Sequence, residues 1–119
     1  MYCRGIKFKM KFLEIAHRGY SEIYKDNTLE SLQKAIDYQF DMIEFDIQLT
    51  KDEEIIIYHD TFIKTSNGSY FIIDLTLKEL LLFDSSIPLL KDLFQYLIET
   101  NNTKFPLYLD IKGTKKIVI

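Results

Sequence analysis

Two histidines and three carboxylates stand within or directly after short apolar segments. His17 follows "FLEIA", Glu44 and Asp46 lie within "MIEFDIQL", His59 follows "EIIIY", and Asp110 lies within "LYLDIK". Carboxylate oxygens are the ligands that hard cations such as Mg²⁺ and Ca²⁺ prefer, and imidazoles transfer protons near neutral pH. These residue types therefore predict a divalent-cation site with an acid–base pair beside it.

The spacing of the acidic residues supports one shared site. Glu44 and Asp46 are two positions apart, so on a strand both side chains face the same side. Asp110 supplies a third carboxylate from a later strand. Three like charges held together without a cation would repel one another, and some would be protonated. A cation bound among them is the arrangement that avoids this cost.

Two basic residues accompany these groups. Arg18 directly follows the first histidine, and Lys112 stands two positions after Asp110. Both can neutralise an anionic substrate such as a phosphate. Two alternatives remain open: an E-x-D pair is more often a solvated polar face, and Arg18 would otherwise pair with Glu22 or Asp26 at the surface. The shared site is favoured because four predicted strands carry suitable chemistry at the same end.

Hydrophobic periodicity predicts the elements that must position these residues. Apolar residues at helical spacing predict an amphipathic helix over residues 28–39, with Asn27 as its N-cap and Glu30 completing a capping-box pattern. Strict alternation predicts a strand over residues 42–49. The other predicted elements are a strand over 12–16, a third strand in "EIIIYHD", a hairpin turned at Asn67-Gly68, a short helix from the Thr76–Glu79 capping box to about Leu82, a helix from about Leu89 to Glu99, and a strand in "FPLYLDIKG".

The order of these elements predicts an α/β fold. Long connections between short apolar strands imply a parallel sheet of about four strands with flanking helices. The carboxyl ends of parallel strands share one edge, where barrels and open α/β sheets place their active sites. Side chains distant in the sequence are therefore expected to converge there.

Composition indicates one globular domain and argues against several classes of partner. The 119 residues carry a net charge of −3, which does not suggest a general affinity for nucleic acid. The single cysteine, Cys3, cannot form an internal disulfide, which is compatible with a reducing compartment. No run is long and apolar enough to predict a transmembrane segment.

The first residues are expected to lie outside the domain. Met10 opens a tidier strand than Met1 does, so residues 1–9 are interpreted as an N-terminal extension and residues 10–119 as the domain. Whether Met1 or Met10 is the start stays open. The only apolar stretch near the N terminus is short and is interrupted by Glu14, which argues against a secretory signal and favours a cytoplasmic location.

Seven segments taken together carry a specific resemblance, although each is weak alone. They are "AHRG" (16–19), "DNTLESLQKAI" (26–36), "IEFDIQLTKD" (43–52), "YHD" (58–60), "DLTLKEL" (74–80), "IPLL" (87–90) and "LYLDIK" (107–112). In this combination the chain resembles the N-terminal half of the glycerophosphodiester phosphodiesterase family. The resemblance covers nearly the whole chain from about residue 12 to residue 112.

The resemblance implies a TIM-type barrel and a phosphoric diester hydrolase of lipid and glycerol metabolism. Such an enzyme uses a divalent cation, Mg²⁺ or Ca²⁺, to hydrolyse a small glycerophosphodiester to sn-glycerol 3-phosphate and an alcohol. Asp110 stands where the family normally has a glutamate, so its carboxylate must reach the cation with one methylene fewer. By position, the resemblance makes His17 and His59 the acid–base pair, Glu44, Asp46 and Asp110 the metal ligands, and Arg18 and Lys112 the residues that contact the phosphate.

The length of the chain leaves more than one function open. A closed eight-stranded barrel needs about 250 residues, so a half-barrel is expected here. The first hypothesis is a phosphodiesterase that is active only when self-association or a second chain supplies the missing half. The alternatives are an inactive remnant or cation-binding interaction module of a split gene, and a sphingomyelinase-D-like phosphodiesterase. The last would need an apolar, membrane-facing loop, which is not evident in the sequence.

Overall fold

The computed structural model describes residues 12–113 and Ile117, which form six strands and three α-helices. The predicted extension over residues 1–9 lies outside the described residues, and the first strand begins later than predicted. The elements are β1 (Ile15–His17), α1 (Leu29–Asp37), β2 (Met42–Leu49), β3 (Ile55–Ile57), β4 (Phe62–Thr65), β5 (Gly68–Phe71), α2 (Leu77–Phe83), α3 (Leu90–Glu99) and β6 (Leu107–Ile111), with a 3₁₀ turn at Ile72–Asp74.

Strand β2 is the centre of the main sheet and is paired along both edges. Strands β1 and β6 run parallel to it. Strand β6 pairs with residues 43–47 of β2, and these residues overlap those that pair with β1 (42–44) and with β3 (47–49). Strand β6 therefore occupies one edge of β2, and β1 and β3 follow one another along the other edge. This arrangement, with helices flanking a parallel sheet that does not close, is a partial barrel, as the sequence predicted.

The direction of β3 corrects one expectation. Four parallel strands were predicted, but β3 runs antiparallel to β2, with Ile57 opposite Ile47 and Ile55 opposite Leu49. Only residues 50–54 separate the two strands. A parallel connection needs a crossover of a dozen or more residues, whereas antiparallel strands can be joined by a short turn. The reversed strand therefore follows directly from the short connection.

The N-cap of α1 also differs from the prediction. Thr28, not Asn27, caps the helix, because its hydroxyl accepts a hydrogen bond from the backbone N–H of Ser31. Asn27 has a positive φ of 53° and lies outside the helix. Capping by a threonine hydroxyl satisfies one of the free N–H groups of the first turn. Asn27 is thereby left available for a contact outside the helix.

The predictions of the hairpin and of the two later helices are confirmed. Strands β4 and β5 form an antiparallel hairpin, with Thr65 paired to Gly68 across the turn. The Thr76–Glu79 capping box opens α2 as predicted. Helix α3 begins one residue after its predicted start. Among the described residues, no helix is long and apolar enough to cross a membrane.

Two hydrophobic clusters stabilise the structure. The larger one packs the sheet against α1 and α3, and it includes the fully buried Phe45, Leu32 and Leu93. The smaller one lies under the hairpin and α2, and it includes Ile56 and Leu80. Because Ile56 belongs to β3, the antiparallel strand joins the main sheet to the smaller cluster.

Candidate active site

Three carboxylates meet on adjacent strands of the parallel sheet. Asp46 on β2 is in register with Asp110 on β6, and Glu44 is in register with His17 on β1. One oxygen from each carboxylate lies within 4.8 Å of the other two. Oxygen ligands lie about 2.3–2.6 Å from Ca²⁺, so two of them can be about 5 Å apart across one ion. The three residues therefore fit a shared hard cation, and Asp110 reaches the cluster despite its shorter side chain.

Two basic side chains border this carboxylate cluster. The side chain of Asp46 is 2% exposed, and Arg18 Nε lies 3.4 Å from its Oδ2. Lys112 Nζ lies 3.8 Å from Asp46 Oδ1 and 2.9 Å from Asp110 Oδ2. The hydrogen bond to Asp110, together with the charges of Asp110, Asp46 and Glu44, raises the pKa of Lys112 above its ordinary value. The lysine is therefore held in its charged form beside the acids.

A tight corner after β1 directs the first histidine and arginine toward the cluster. Arg18 and Gly19 both have positive φ, at 58° and 83°, and the Arg18 N–H donates to the Glu44 carbonyl at 2.7 Å. A Cβ on Gly19 would lie 2.4 Å from the Oγ of Ser31 and 2.7 Å from its carbonyl carbon. Only glycine fits this approach, and it lets the start of α1 pack against the end of β1.

Asn27 belongs to the site, although the sequence analysis treated it only as a helix cap. Its side chain is buried, and Nδ2 donates to Asp46 Oδ2 at 2.9 Å. Its Oδ1 is buried and has no hydrogen-bond partner among the described residues. Asn27 is followed by Thr28, so two successive residues could have capped α1. That redundancy is the sequence signal from which its other role could have been suspected.

His59 reaches the site because β3 runs antiparallel. Strands β1 and β3 approach along one edge of β2 from opposite directions, and the Tyr58 N–H donates to the Asp46 carbonyl at 3.0 Å. The Nδ1 of His59 lies 2.7 Å from Asp60 Oδ1. With Asp60 ionised, this contact places the imidazole proton on Nδ1 and leaves Nε2 as the acceptor.

The two histidines have different surroundings. His59 lines a cleft of about 220 Å³ together with Arg18, Asn27 and Tyr58. His17 is not among the lining residues of this cleft; its Nε2 lies 3.8 Å from Glu44 Oε1, and its side chain is 66% exposed. One imidazole thus stands over the carboxylates at the end of β1, and the other faces the cleft from β3.

The structure brings the seven predicted site residues to one region. Five of them, the three carboxylates with Arg18 and Lys112, form the carboxylate cluster and its ion pairs. His17 lies beside Glu44, and His59 directly follows Tyr58, whose N–H bonds the Asp46 carbonyl. Such a region can bind a cation, bind an anion next to it, and transfer protons from two sides. Gln48 was not among the predicted site residues, although strand periodicity places it on the same face as Glu44 and Asp46.

Known proteins are similar to most of this chain. The sequence profile of the Glycerophosphoryl diester phosphodiesterase family matches residues 17–117. A glycerophosphodiester phosphodiesterase of Caldanaerobacter subterraneus is 43% identical over 79 residues, which are 66% of this chain and 32% of that protein. Lysophospholipase D GDPD1 of Rattus norvegicus is 32% identical over 131 aligned positions, which cover 93% of this chain and 40% of that protein.

Solved structures match the fold. The glycerophosphodiester phosphodiesterase of Thermotoga maritima superimposes with a TM-score of 0.72 at 32% identity, covering 87% of this chain and 46% of that one. A phosphodiesterase of Oleispira antarctica, solved with its product sn-glycerol-3-phosphate, gives a TM-score of 0.68 at 29% identity and covers 82% and 43%. The chain therefore spans between about a third and a half of the length of these relatives.

Proposed function

Because the chain belongs to the glycerophosphoryl diester phosphodiesterase family, whose members are phosphoric diester hydrolases, we propose that it hydrolyses glycerophosphodiesters to sn-glycerol 3-phosphate and an alcohol. The observation that carries this proposal is the cluster of Glu44, Asp46 and Asp110, whose ligand atoms lie within 4.8 Å of one another. Arg18 and Lys112 lie beside it and provide positive charge for the phosphodiester.

The carboxylate cluster would hold the divalent cation, Mg²⁺ or Ca²⁺. The donor set supports this because all three groups offer oxygen, and hard cations prefer oxygen. When bound, the cation neutralises charge and polarises the phosphoryl group. Asn27 holds the most buried of the three carboxylates in place, by donating to Asp46 Oδ2.

The two imidazoles would exchange protons with the attacking and leaving oxygens. His17 stands at the end of β1 beside Glu44, whereas His59 approaches from β3 with its Nδ1 at Asp60. The attacking and leaving oxygens of one phosphorus need separate proton-transfer groups, and the two histidines come from the segments that end β1 and β3. Each such group typically accelerates the reaction by about 10²- to 10⁴-fold.

A lipid-linked phosphodiester is the second candidate substrate. The hairpin and the end of α2 expose Phe71, Leu82 and Phe83, at 60%, 80% and 44%. These exposed apolar side chains were not evident in the sequence, and they support both a lysophospholipid substrate and the sphingomyelinase-D-like alternative. The rat relative is named a lysophospholipase D. Hydrolysis rates of glycerophosphocholine, lysophosphatidylcholine and sphingomyelin, compared at equal concentration, would distinguish a glycerophosphodiester, a lysophospholipid and a sphingolipid as the preferred substrate.

A second polypeptide segment would complete the barrel. Among the described residues, β6 pairs only with β2, so its other edge is open, and Tyr108 and Ile111 on it are 59% and 50% exposed. An open strand edge is a template for pairing with another strand. Self-association or a second chain could therefore supply the neighbouring strand. The cytoplasmic location stays a prediction from the sequence.

The test is release of sn-glycerol 3-phosphate from glycerophosphocholine. We expect release to require Mg²⁺ or Ca²⁺, to stop with a chelator, and to fall by about 10²-fold or more in His17→Ala. Gln95→Ala, on the exposed face of α3, is the control that should keep full activity. A folded chain that binds the cation but releases no product would contradict the proposal and favour a cation-binding module.

A further inference from the structure

Gln48 is a buried amide that contacts the backbone on both sides of His59. Gln48 is only 3% exposed. Nε2 donates to the carbonyl oxygens of Tyr58, at 2.9 Å, and Asp60, at 2.7 Å. A carboxamide nitrogen carries two protons, so this pair of hydrogen bonds uses the full donor capacity of the group.

These two bonds begin where strand pairing ends. Strand β3 stops at Ile57, and the Tyr58 N–H makes the next bond to β2. Among the described residues, neither His59 nor Asp60 forms a backbone hydrogen bond to β2. The Gln48 side chain therefore takes over from the backbone in attaching this segment to the sheet.

The same face of β2 carries two carboxylates of the cluster. Glu44, Asp46 and Gln48 stand at every second position of β2, so their side chains share one face of the strand. We propose that Gln48 is a positioning residue that fixes the His59 imidazole relative to the carboxylate cluster. This inference rests on the proposed function, in which His59 transfers a proton.

Gln48 also acts on the histidine through its neighbour. The Asp60 carbonyl accepts from Gln48, and the Asp60 carboxylate contacts His59 Nδ1 at 2.7 Å. Fixing the backbone of Asp60 restricts where that carboxylate can lie. The orientation of the imidazole, and the nitrogen that it presents to substrate, are then both set from β2.

An amide suits this position for chemical reasons. Two carbonyl oxygens need two donors, and glutamine supplies both without a charge. A glutamate would place acceptors against acceptors, and a methionine would fill the space without donating. A lysine would donate but would bring a charge into a buried position, which is costly. The chemistry is therefore specific to a neutral double donor of this length.

The first experiment uses the unmodified full chain. Proton exchange of the side-chain amides is measured by NMR for Gln48 and for Gln95, an exposed glutamine whose Nε2 bonds Glu99 at 2.8 Å. We expect the Gln48 amide protons to exchange about tenfold more slowly, or slower still, because exchange requires opening of the buried bonds. Equal exchange rates would overturn the proposal, and this result does not depend on any variant being folded.

The second experiment compares Gln48→Met with the matched control Gln95→Met. The chain contains only two histidines, so His17 serves as an internal reference in the imidazole NMR spectrum. We expect the His59 signals to shift and broaden in Gln48→Met alone, with His17 unchanged. Unchanged His59 signals, or equal changes at both histidines, would overturn the proposal, since the second result indicates a general structural effect.

Activity then separates this inference from the proposed function. We expect Gln48→Met to lower kcat by about 10- to 100-fold while the affinity for Mg²⁺ or Ca²⁺ stays unchanged, because Gln48 holds the histidine and not the cation. A loss of cation affinity equal to the loss of kcat would overturn it. An inactive unmodified chain with a protected Gln48 amide would contradict the proposed function while leaving the hydrogen bonds to Tyr58 and Asp60 intact.

Discussion

Two regions of the molecule contribute to the site in different ways. The parallel unit, made of β1, α1, β2, α3 and β6, packs around the larger hydrophobic cluster and holds the three carboxylates. The excursion, residues 55–87, packs around the smaller cluster and supplies His59. Neighbouring paired strands fix the carboxylates of the parallel unit, whereas a short antiparallel strand and one buried amide attach His59.

The positions of the carboxylates and of His59 are therefore set by different kinds of contact. Asp46 and Asp110 are neighbours because their strands are in register, so the sheet itself sets their separation. The position of His59 depends instead on how the excursion sits on the parallel unit. The excursion is attached by the hydrogen bonds of Gln48 on β2 and by the bond from the N–H of Lys51, in the connection after β2, to the Leu75 carbonyl, at 2.8 Å. Cation binding and proton transfer should therefore respond to different substitutions.

The first substitution tests whether the parallel unit alone holds the cation. Asp46→Ala removes the most buried carboxylate of the cluster. We expect cation binding to be lost and hydrolysis to fall by about 10³-fold, because a bound cation supplies several kcal/mol of transition-state stabilisation. Calorimetric titration with Mg²⁺ or Ca²⁺ and the rate of product release measure both. Asp74→Ala, at an exposed carboxylate of the excursion, should change neither.

The next effect compares two glycines of positive φ, one in each region. Gly19 would place a Cβ against Ser31, whereas a Cβ on Gly68 would meet nothing within 4 Å. Gly19→Ala should lower the free energy of unfolding by about 2–4 kcal/mol, from backbone strain and overpacking together. Gly68→Ala should show only the backbone part, about 1–2 kcal/mol. Denaturant unfolding measures both, and equal losses would mean that Ser31 moves away at no cost.

A smaller effect concerns the link between the two helices of the parallel unit. The Tyr96 hydroxyl on α3 donates to Asp37 Oδ1 on α1 at 2.6 Å. This hydrogen bond, with burial and the charge of Asp37, raises the pKa of Tyr96 to about 12. Tyr96→Phe should lower the free energy of unfolding by about 1 kcal/mol at neutral pH.

The pH dependence of that variant checks its cause. The folded-state pKa of Tyr96 is raised, so its contribution is complete below the unfolded value of about 10 and is lost as the pH rises through the folded value. The difference in melting temperature between Tyr96→Phe and the unmodified chain should therefore shrink across that alkaline range. A difference that stays constant would assign the effect to packing.

The smallest effect is acid sensitivity of the excursion. The backbone N–H and the hydroxyl of Thr76 bond Glu79 and lower its pKa. The contribution of a lowered pKa is present above the unfolded value of about 4.3 and is lost as the pH falls through the folded value. Glu79→Gln should therefore melt at a lower temperature near neutral pH, and this difference should vanish in acid. A difference that persists in acid would contradict the assignment of this effect to the Glu79 carboxylate.

The sequence was most informative where a structural choice depends on neighbours along the chain. The strand over residues 42–49 was predicted with the bounds that the structure has, and the Thr76–Glu79 capping box was identified with both partners. The direction of β3 and the role of Asn27 were predicted wrongly. The short connection over residues 50–54 already argued for the antiparallel direction, but a continuous apolar run suggested a strand of a parallel sheet.

From the sequence we could predict the residue types of the site, the shared face of Glu44 and Asp46, the Thr76–Glu79 cap and the hairpin turn, because each of these depends on covalent spacing. The three-dimensional contacts were needed to show that His59 comes toward the carboxylates, and that Asn27 and Gln48 donate to partners 19 and 10–12 positions away. Those choices depend on which groups meet across the fold. A buried donor takes whichever acceptor lies within reach, and local periodicity does not encode that acceptor.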